Sequence, residues 1–339
     1  MNMFQIDLKF DLDVIEEILN STTLIDGEWT MKSENYISGY LGERFLLTNS
    51  FENSVRILMD LLGINDESVI LTSPFTCLAS VHPLKRRGAK LVYADLDSKS
   101  GLMSHESIQF KLDSNNDEIT HVFYPFPCGF VPHDLDKTSS LCRNRQIPLI
   151  FDLLEAFGSK FNGKELCHYS DYSLYSFETV RVPSGVWLGG ISSAKDNIIK
   201  AQELRDLGLP KINRLDTSNI SLGVSARPSE LYSYLLYSSM LKYENYLERR
   251  RNKLLNLEST VKKLISCQFI SLYNSVVQPN LWLIGVLIED EADRFLLENN
   301  GLVVKKVHRD IRGYHIYNDN SLLPMCDTFI RNYYIIDYE

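Results

Sequence analysis

From about residue 45 to residue 195 the chain alternates short apolar strands with helical stretches, and this alternation restricts the fold more than any other feature. Arg44–Thr48 reads as a strand and leads into a helical pattern over Asn53–Leu62, stopped by Gly63. The strand Ser68–Leu71, the helix Cys77–Arg87 ending at Gly88, and the strand Lys90–Ala94 follow. His121–Tyr124, the helix Asp134–Arg145 and Pro148–Phe151 continue the series, and the strands Tyr172–Ser176 and Val186–Ser192 complete it. Strands parted by helices imply βαβ units, hence an α/β chain with a largely parallel sheet covered by helices. Ligands bind such sheets beyond the carboxyl ends of the strands. Asp152, Ser176 and Arg181 fall just there.

After Leu222 the pattern changes. Pro228 opens a long amphipathic helical stretch, Ser229–Ile265. The strands Gln268–Tyr273 and Leu281–Ile288, a helix Glu289–Asn299 stopped by Gly301, the strand Leu302–Val307 and the apolar run Tyr333–Ile336 follow. The reading is a large domain over residues 1–220, whose first thirty or so residues can pack on the second domain, and a smaller α+β domain over residues 221–339. Asp113–Asp117 reads as a polar turn.

Bulk properties exclude several function classes. The net charge of -9 argues against nucleic acid as a partner, and Glu248–Arg251 reads as a solvated helix face. Six cysteines without CxxC spacing suit reduced thiols, and the early acids of the N-terminus leave no signal-peptide pattern. The longest apolar run, Leu281–Ile288, is too short to span a bilayer. A soluble cytoplasmic protein without a membrane partner is expected. The seven histidines show no ligand spacing, so no metal is expected. Asp134 reads as a helix cap, and Tyr232, Tyr234 and Tyr237, at helical spacing, as packing residues of a domain or dimer interface.

Between about Leu41 and Arg227 a set of motifs recurs in a specific order. They are Ser73-Pro74-Phe75-Thr76, the run GAKLVYADLD from Gly88 to Asp97, PLIFD ending at Asp152, Ala156-Phe157-Gly158, DYSLYSF from Asp171 to Phe177, Gly189-Gly190, and RPSEL from Arg227 to Leu231. This series resembles the DegT/DnrJ/EryC1/StrS family of sugar aminotransferases. The resemblance implies a fold-type-I PLP-transferase, with a mainly parallel seven-stranded-type sheet between helices plus a smaller α+β C-terminal domain. It also implies pyridoxal 5'-phosphate (PLP) as cofactor, a nucleotide-sugar ligand, and sites formed across a two-fold dimer.

The resemblance also marks departures. Asp152 matches the carboxylate that keeps the pyridine nitrogen protonated, so that the ring can act as an electron sink. Ser176 matches a serine that contacts the phosphate, and Phe75 lies in the segment that supplies the ring stack. Arg181, however, occupies the Schiff-base lysine position, and a guanidinium stays protonated and forms no stable aldimine. Neither Lys164 nor Lys195 can replace it without breaking the spacing of Ser176-Phe177 and Gly189-Gly190. In the phosphate turn, Phe51 replaces a glycine, and Glu52 brings a negative charge to the helix N-terminus that should face a dianion. Ser225 stands where a neighbouring subunit's asparagine is usual, and Glu155 replaces a glutamine at the ring hydroxyl. Glu52, Asp152 and Glu155 around Arg181 therefore predict a self-satisfied ion cluster, with PLP absent or weakly bound. The expected function is a non-catalytic homologue, binding a sugar nucleotide or completing a homodimer or a heterodimer with an intact relative. The alternatives are an active enzyme holding PLP non-covalently and, behind it, transamination through another lysine.

Overall fold

The computed structural model describes residues 11–114, 118–210, 221–270, 273–308, 310–317, 319 and 321–338. Helices α1 (Leu12–Asn20) and α2 (Glu28–Leu41) precede β1 (Arg44–Thr48), α3 (Phe51–Leu62), β2 (Val69–Thr72), α4 (Leu78–Arg86) and β3 (Lys90–Tyr93). There follow α5 (His105–Asp113), β4 (His121–Pro125), α6 (Leu135–Asn144), β5 (Leu149–Asp152), the short strands β6 (Lys160–Phe161) and β7 (Lys164–Glu165), β8 (Tyr172–Ser176), β9 (Gly189–Ser193) and α7 (Ile198–Arg205). The second part holds α8 (Glu230–Met240), α9 (Tyr243–Leu264), β10 (Gln268–Ile270), β11 (Val277–Gln278), β12 (Ile284–Leu287), α10 (Glu291–Asn299), β13 (Leu302–Lys305), α11 (Pro324–Asn332) and β14 (Tyr333–Tyr338).

Seven strands form the main sheet in the order β1-β9-β8-β5-β4-β2-β3. The pairs among β3, β2, β4, β5 and β8 are parallel. Alternate residues point to opposite faces of a strand, and the core divides accordingly. Leu47, Leu71, Tyr124, Phe151 and Tyr175 belong to one cluster, whereas Leu46, Ile70, Phe123, Ile150 and Leu174 belong to the other. The last strand departs from the βαβ expectation. β9 runs antiparallel to both β8 and β1, because the loop 177–188 returns directly without a crossover helix. Gly189 on β9 is required by close packing: a Cβ there would lie 2.4 Å from the Ser50 carbonyl oxygen and 2.6 Å from the Phe51 nitrogen.

The smaller sheet has the order β10-β12-β14-β13. The single long helix expected over Ser229–Ile265 is two helices, because the chain turns tightly at Leu241 and Lys242 so that Met240 and Tyr243 are both buried. Arg250 is not on a solvated face: it is buried and donates from Nε to the Leu281 carbonyl at 2.7 Å and from Nη2 to the Trp282 carbonyl at 3.1 Å. Residues 115–117 of the polar turn lie outside the described residues. No helix among the described residues is long and apolar enough to cross a membrane.

The RPSEL run acquires a physical reason. Buried Glu230 accepts the amides of Gly27, Trp29 and Thr30 at 2.8–3.0 Å, and the Thr30 hydroxyl at 2.7 Å. It thereby caps α2, whose own N-cap residue, Gly27, has no side chain to do so. Tyr234 and Tyr237 of α8 pack edge-on or tilted against Trp29 of α2, so these tyrosines serve an intramolecular interface.

Candidate functional site

Beyond the carboxyl ends of β5 and β8, the large domain supplies Asp152, Glu155, Ser176 and Arg181, and the small domain supplies Trp282 and His308. Asp152 ends β5 and is buried. Ser80 Oγ on α4 donates to its Oδ2 at 2.5 Å, and the Leu154 amide donates to Oδ1 at 3.1 Å. Glu155 lies in the turn after β5, where Asn280 Nδ2 pins the backbone by donating to the carbonyls of Glu155 (2.9 Å) and Phe157 (3.1 Å). Its carboxylate faces Arg181 Nη2 at 3.2 Å on Oε1, and on Oε2 meets His308 Nε2 at 2.9 Å and the Cys128 amide at 2.5 Å.

Arg181 is fixed by its loop and by the small domain. The Phe177 amide donates to the Leu188 carbonyl and the Gly185 amide to the Phe177 carbonyl, each at 2.8 Å, closing the loop between β8 and β9. The guanidinium carbon lies 4.3 Å from the centroid of the Trp282 ring, whose Nε1–H donates to the Val180 carbonyl at 3.1 Å. Desolvated guanidinium–indole stacking of this kind contributes about 1–2 kcal/mol. Among the described residues, Arg181 Nε and Thr76 Oγ1 are buried without a hydrogen-bond partner. The void beside Asp152, lined among others by Thr76, Cys77, Phe126 and Glu155, measures about 10 Å³. That is roughly the room of one water molecule.

The two carboxylates are tuned in opposite directions. Burial pushes Asp152 up to about 6, against the hydrogen bonds from Ser80 and Leu154. Burial also acts on Glu155, but the charges of His308 and Arg181, with hydrogen bonds from His308 and the Cys128 amide, hold it at about 2. For Asp152 the folded value lies above the unfolded one of about 3.9. The folded state therefore binds more protons between about pH 4 and 6 and loses stability as pH rises through that window. Asp152→Asn removes the ionisation. We expect this variant to exceed the wild type by about 1–2 kcal/mol at pH 8, with the advantage fading as pH falls from 6 to 4. Urea denaturation at several pH values measures this, and a variant less stable at pH 8 than at pH 4, relative to wild type, contradicts it.

Other site residues are placed differently from expectation. Glu52 does not join the cluster: its half-exposed carboxylate pairs with Arg56 at 2.6 Å, one turn along α3. Phe51 is fully buried and packs in the core beneath α3. The start of that helix is capped by Ser50, whose Oγ accepts the Asn53 amide at 3.2 Å. Phe75 is buried in the core, with edge contacts to His308, Phe329 and Tyr333. Ser225 is exposed, and its carbonyl accepts from Asn49 Nδ2 at 3.4 Å. Ser176 is buried at the end of β8, and its Oγ accepts the Glu178 amide at 3.4 Å. Asp134 holds the N-cap position of α6 without a side-chain cap bond. Of the predicted ion cluster, the structure brings together Glu155 and Arg181, with Asp152 adjacent at the void. Sequence reasoning missed Ser80, Cys128, Trp282 and His308. No spacing could have found them, since each arrives from a separate element.

Residues 6–326 match the profile of the DegT/DnrJ/EryC1/StrS aminotransferase family. A UDP-4-amino-4,6-dideoxy-N-acetyl-β-L-altrosamine transaminase of Campylobacter jejuni is 28% identical over 243 residues, covering 71% of this chain but only 64% of the relative. GDP-perosamine synthase of Escherichia coli O157:H7 is 22% identical over 85% of this chain and 78% of its own length. Among solved structures, the aminotransferase PseC of Helicobacter pylori superposes with a TM-score of 0.84 at 19% identity, over 97% of this chain and 90% of that one. AtS13 of Actinomadura melliaura reaches 0.89 at 16% identity, over 99% and 93%. At these identities the structural matches establish the fold.

PLP is the cofactor of such proteins, and the residues present do not fit it in this arrangement. A pyridine ring exceeds a void of about 10 Å³. Beyond that void the Arg181 guanidinium is paired with Glu155 and stacked on Trp282.

Proposed function

Since the chain belongs to the DegT/DnrJ/EryC1/StrS aminotransferase family, we propose that it acts in amino-sugar nucleotide biosynthesis as a subunit that does not itself transaminate. The observation that supports this reading is the commitment of the Arg181 guanidinium to Glu155 and to the Trp282 ring, taken with the resemblance that sets Arg181 at the lysine position. An arginine remains protonated across the physiological range and offers no lone pair for an aldimine. The named activities of the relatives supply the substrate class: a nucleotide sugar, bound by a homodimer or by a heterodimer with an intact relative whose site this chain helps to complete.

A spectral titration tests the reading. Purified protein given PLP is expected to develop no aldimine absorbance, and borohydride is expected to fix no pyridoxyl group. A reducible Schiff base, or turnover of a keto-sugar nucleotide with glutamate by the purified chain, overturns it. A second reading is supported by the retained Asp152 and Ser176: an active relative holding PLP without a covalent bond. Equilibrium dialysis separates the two, because the second requires stoichiometric PLP that borohydride cannot attach.

A further inference from the structure

Cys128, Glu155 and His308 each offer a ligand atom, and these atoms all lie within 4.8 Å of one another. They come from three places: the turn after β4, the turn after β5, and the segment after β13. Cys128 and Glu155 are buried, while His308 closes the group on its outer side. We propose that these three side chains form a zinc site bridging the two domains.

The donor set matches that ion. One thiolate, one imidazole and one carboxylate suit a borderline-soft divalent cation, and zinc takes nitrogen and oxygen at about 2.0–2.1 Å and sulfur at about 2.3 Å. Tetrahedral ligands at those lengths stand roughly 3.3–3.6 Å apart. His308 Nε2 and Glu155 Oε2 are 2.9 Å apart and all three ligand atoms lie within 4.8 Å, so the side chains adjust to tetrahedral spacing as the ion binds. Thiolate and carboxylate together neutralise it. Arg181 does not compete, because it uses the other carboxylate oxygen, Oε1.

The surroundings are fixed before any ion arrives. The Tyr333 hydroxyl accepts the His308 amide at 2.8 Å and orients the residue. Cys128 holds a left-handed backbone (φ 61°), a strained conformation for a non-glycine residue, and its amide donates to Glu155. Binding would release the thiol proton. Three protein ligands leave a fourth position for water or a ligand.

Two similar groups among the described residues are already satisfied. Arg312 holds both carboxylates of the Asp310, Cys326 and Asp327 group, at 2.5 and 2.7 Å. In the Glu43, Cys167 and His168 group, His168 Nε2 lies 2.8 Å from the Leu41 carbonyl oxygen and Glu43 accepts Ser192 at 2.9 Å.

The zinc site stands whether or not the chain transaminates. The test uses the intact chain with metal alone. After dialysis against zinc, elemental analysis is expected to give one equivalent per chain, and cobalt substitution is expected to give a thiolate-to-cobalt charge-transfer band. Cys128→Ser should abolish the band and weaken zinc retention at least about tenfold, while Cys326→Ser leaves both unchanged. Substoichiometric zinc, a cobalt spectrum without the thiolate band, retention unchanged in Cys128→Ser, or loss in Cys326→Ser overturns the proposal. The cobalt spectrum of the unmodified protein decides the matter even if a variant fails to fold.

Discussion

Replacing Arg205 by alanine is expected to lower the unfolding free energy by about 3–5 kcal/mol, the usual cost of stripping one partner from a buried ion cluster. The side chain is fully buried at the end of α7. Its Nη2 donates to both carboxylate oxygens of Asp26 at 2.8 Å, Nη1 to Glu34 at 3.2 Å and to the Leu47 carbonyl at 3.1 Å, and Nε to Asp206 at 2.9 Å. Alanine leaves these largely desolvated carboxylates repelling one another and opens a cavity as well. Arg205→Lys should recover only part of the loss, because an ammonium cannot reproduce the planar fork that reaches all of them. Urea denaturation measures the change, and a loss below 1 kcal/mol for the alanine variant contradicts the account. Because Asp26 and Glu34 belong to the segment carrying α2, limited proteolysis should show that segment released first.

Glu155→Gln should cost about 2–4 kcal/mol, slightly less because Arg181 keeps some contact with solvent. Glutamine preserves volume but leaves the guanidinium without its counter-charge. The pH dependence has a definite sign. Glu155 is held at about 2, below its unfolded value of about 4.3. Its contribution is therefore present above about pH 4 and is lost as pH falls through 2. The gap between wild type and variant should narrow across that interval, measured in metal-free buffer. A gap that stays constant from pH 7 to pH 2 would mean that the carboxylate charge is not what stabilises the site.

Much of the large domain was legible in the sequence because its signals are local. Strand Tyr172–Ser176 was placed to the residue, and most other strands within one or two, since apolar runs bounded by Gly63 and Gly88 leave little freedom. Each glycine of the pair had a reason the sequence did not disclose: Gly189 a backbone-to-backbone approach of β9 to the start of α3, and Gly190 the close packing of the Phe45 ring. The antiparallel β9 was missed because a short loop and a crossover look alike when no helix pattern lies between strands. The break at Leu241 and Lys242 was missed for a related reason. Amphipathic periodicity runs through it, and only the burial of both Met240 and Tyr243 in the core sets the turn.

The sequence by itself determined the class of fold and the family, because each is written in the identity and spacing of residues along the chain. It also placed Glu52 near Arg181, and there it failed. A side chain's partner depends on the direction it leaves the helix, and Arg56 one turn away was the nearer cation. What Arg181 does was decided only by the tertiary structure. Trp282 and His308, more than one hundred residues away in the chain, are brought to Arg181 and Glu155 by the packing of the small domain on the large one. Buried charge must be satisfied by whatever lies within a few ångströms, and only the folded chain determines which groups those are.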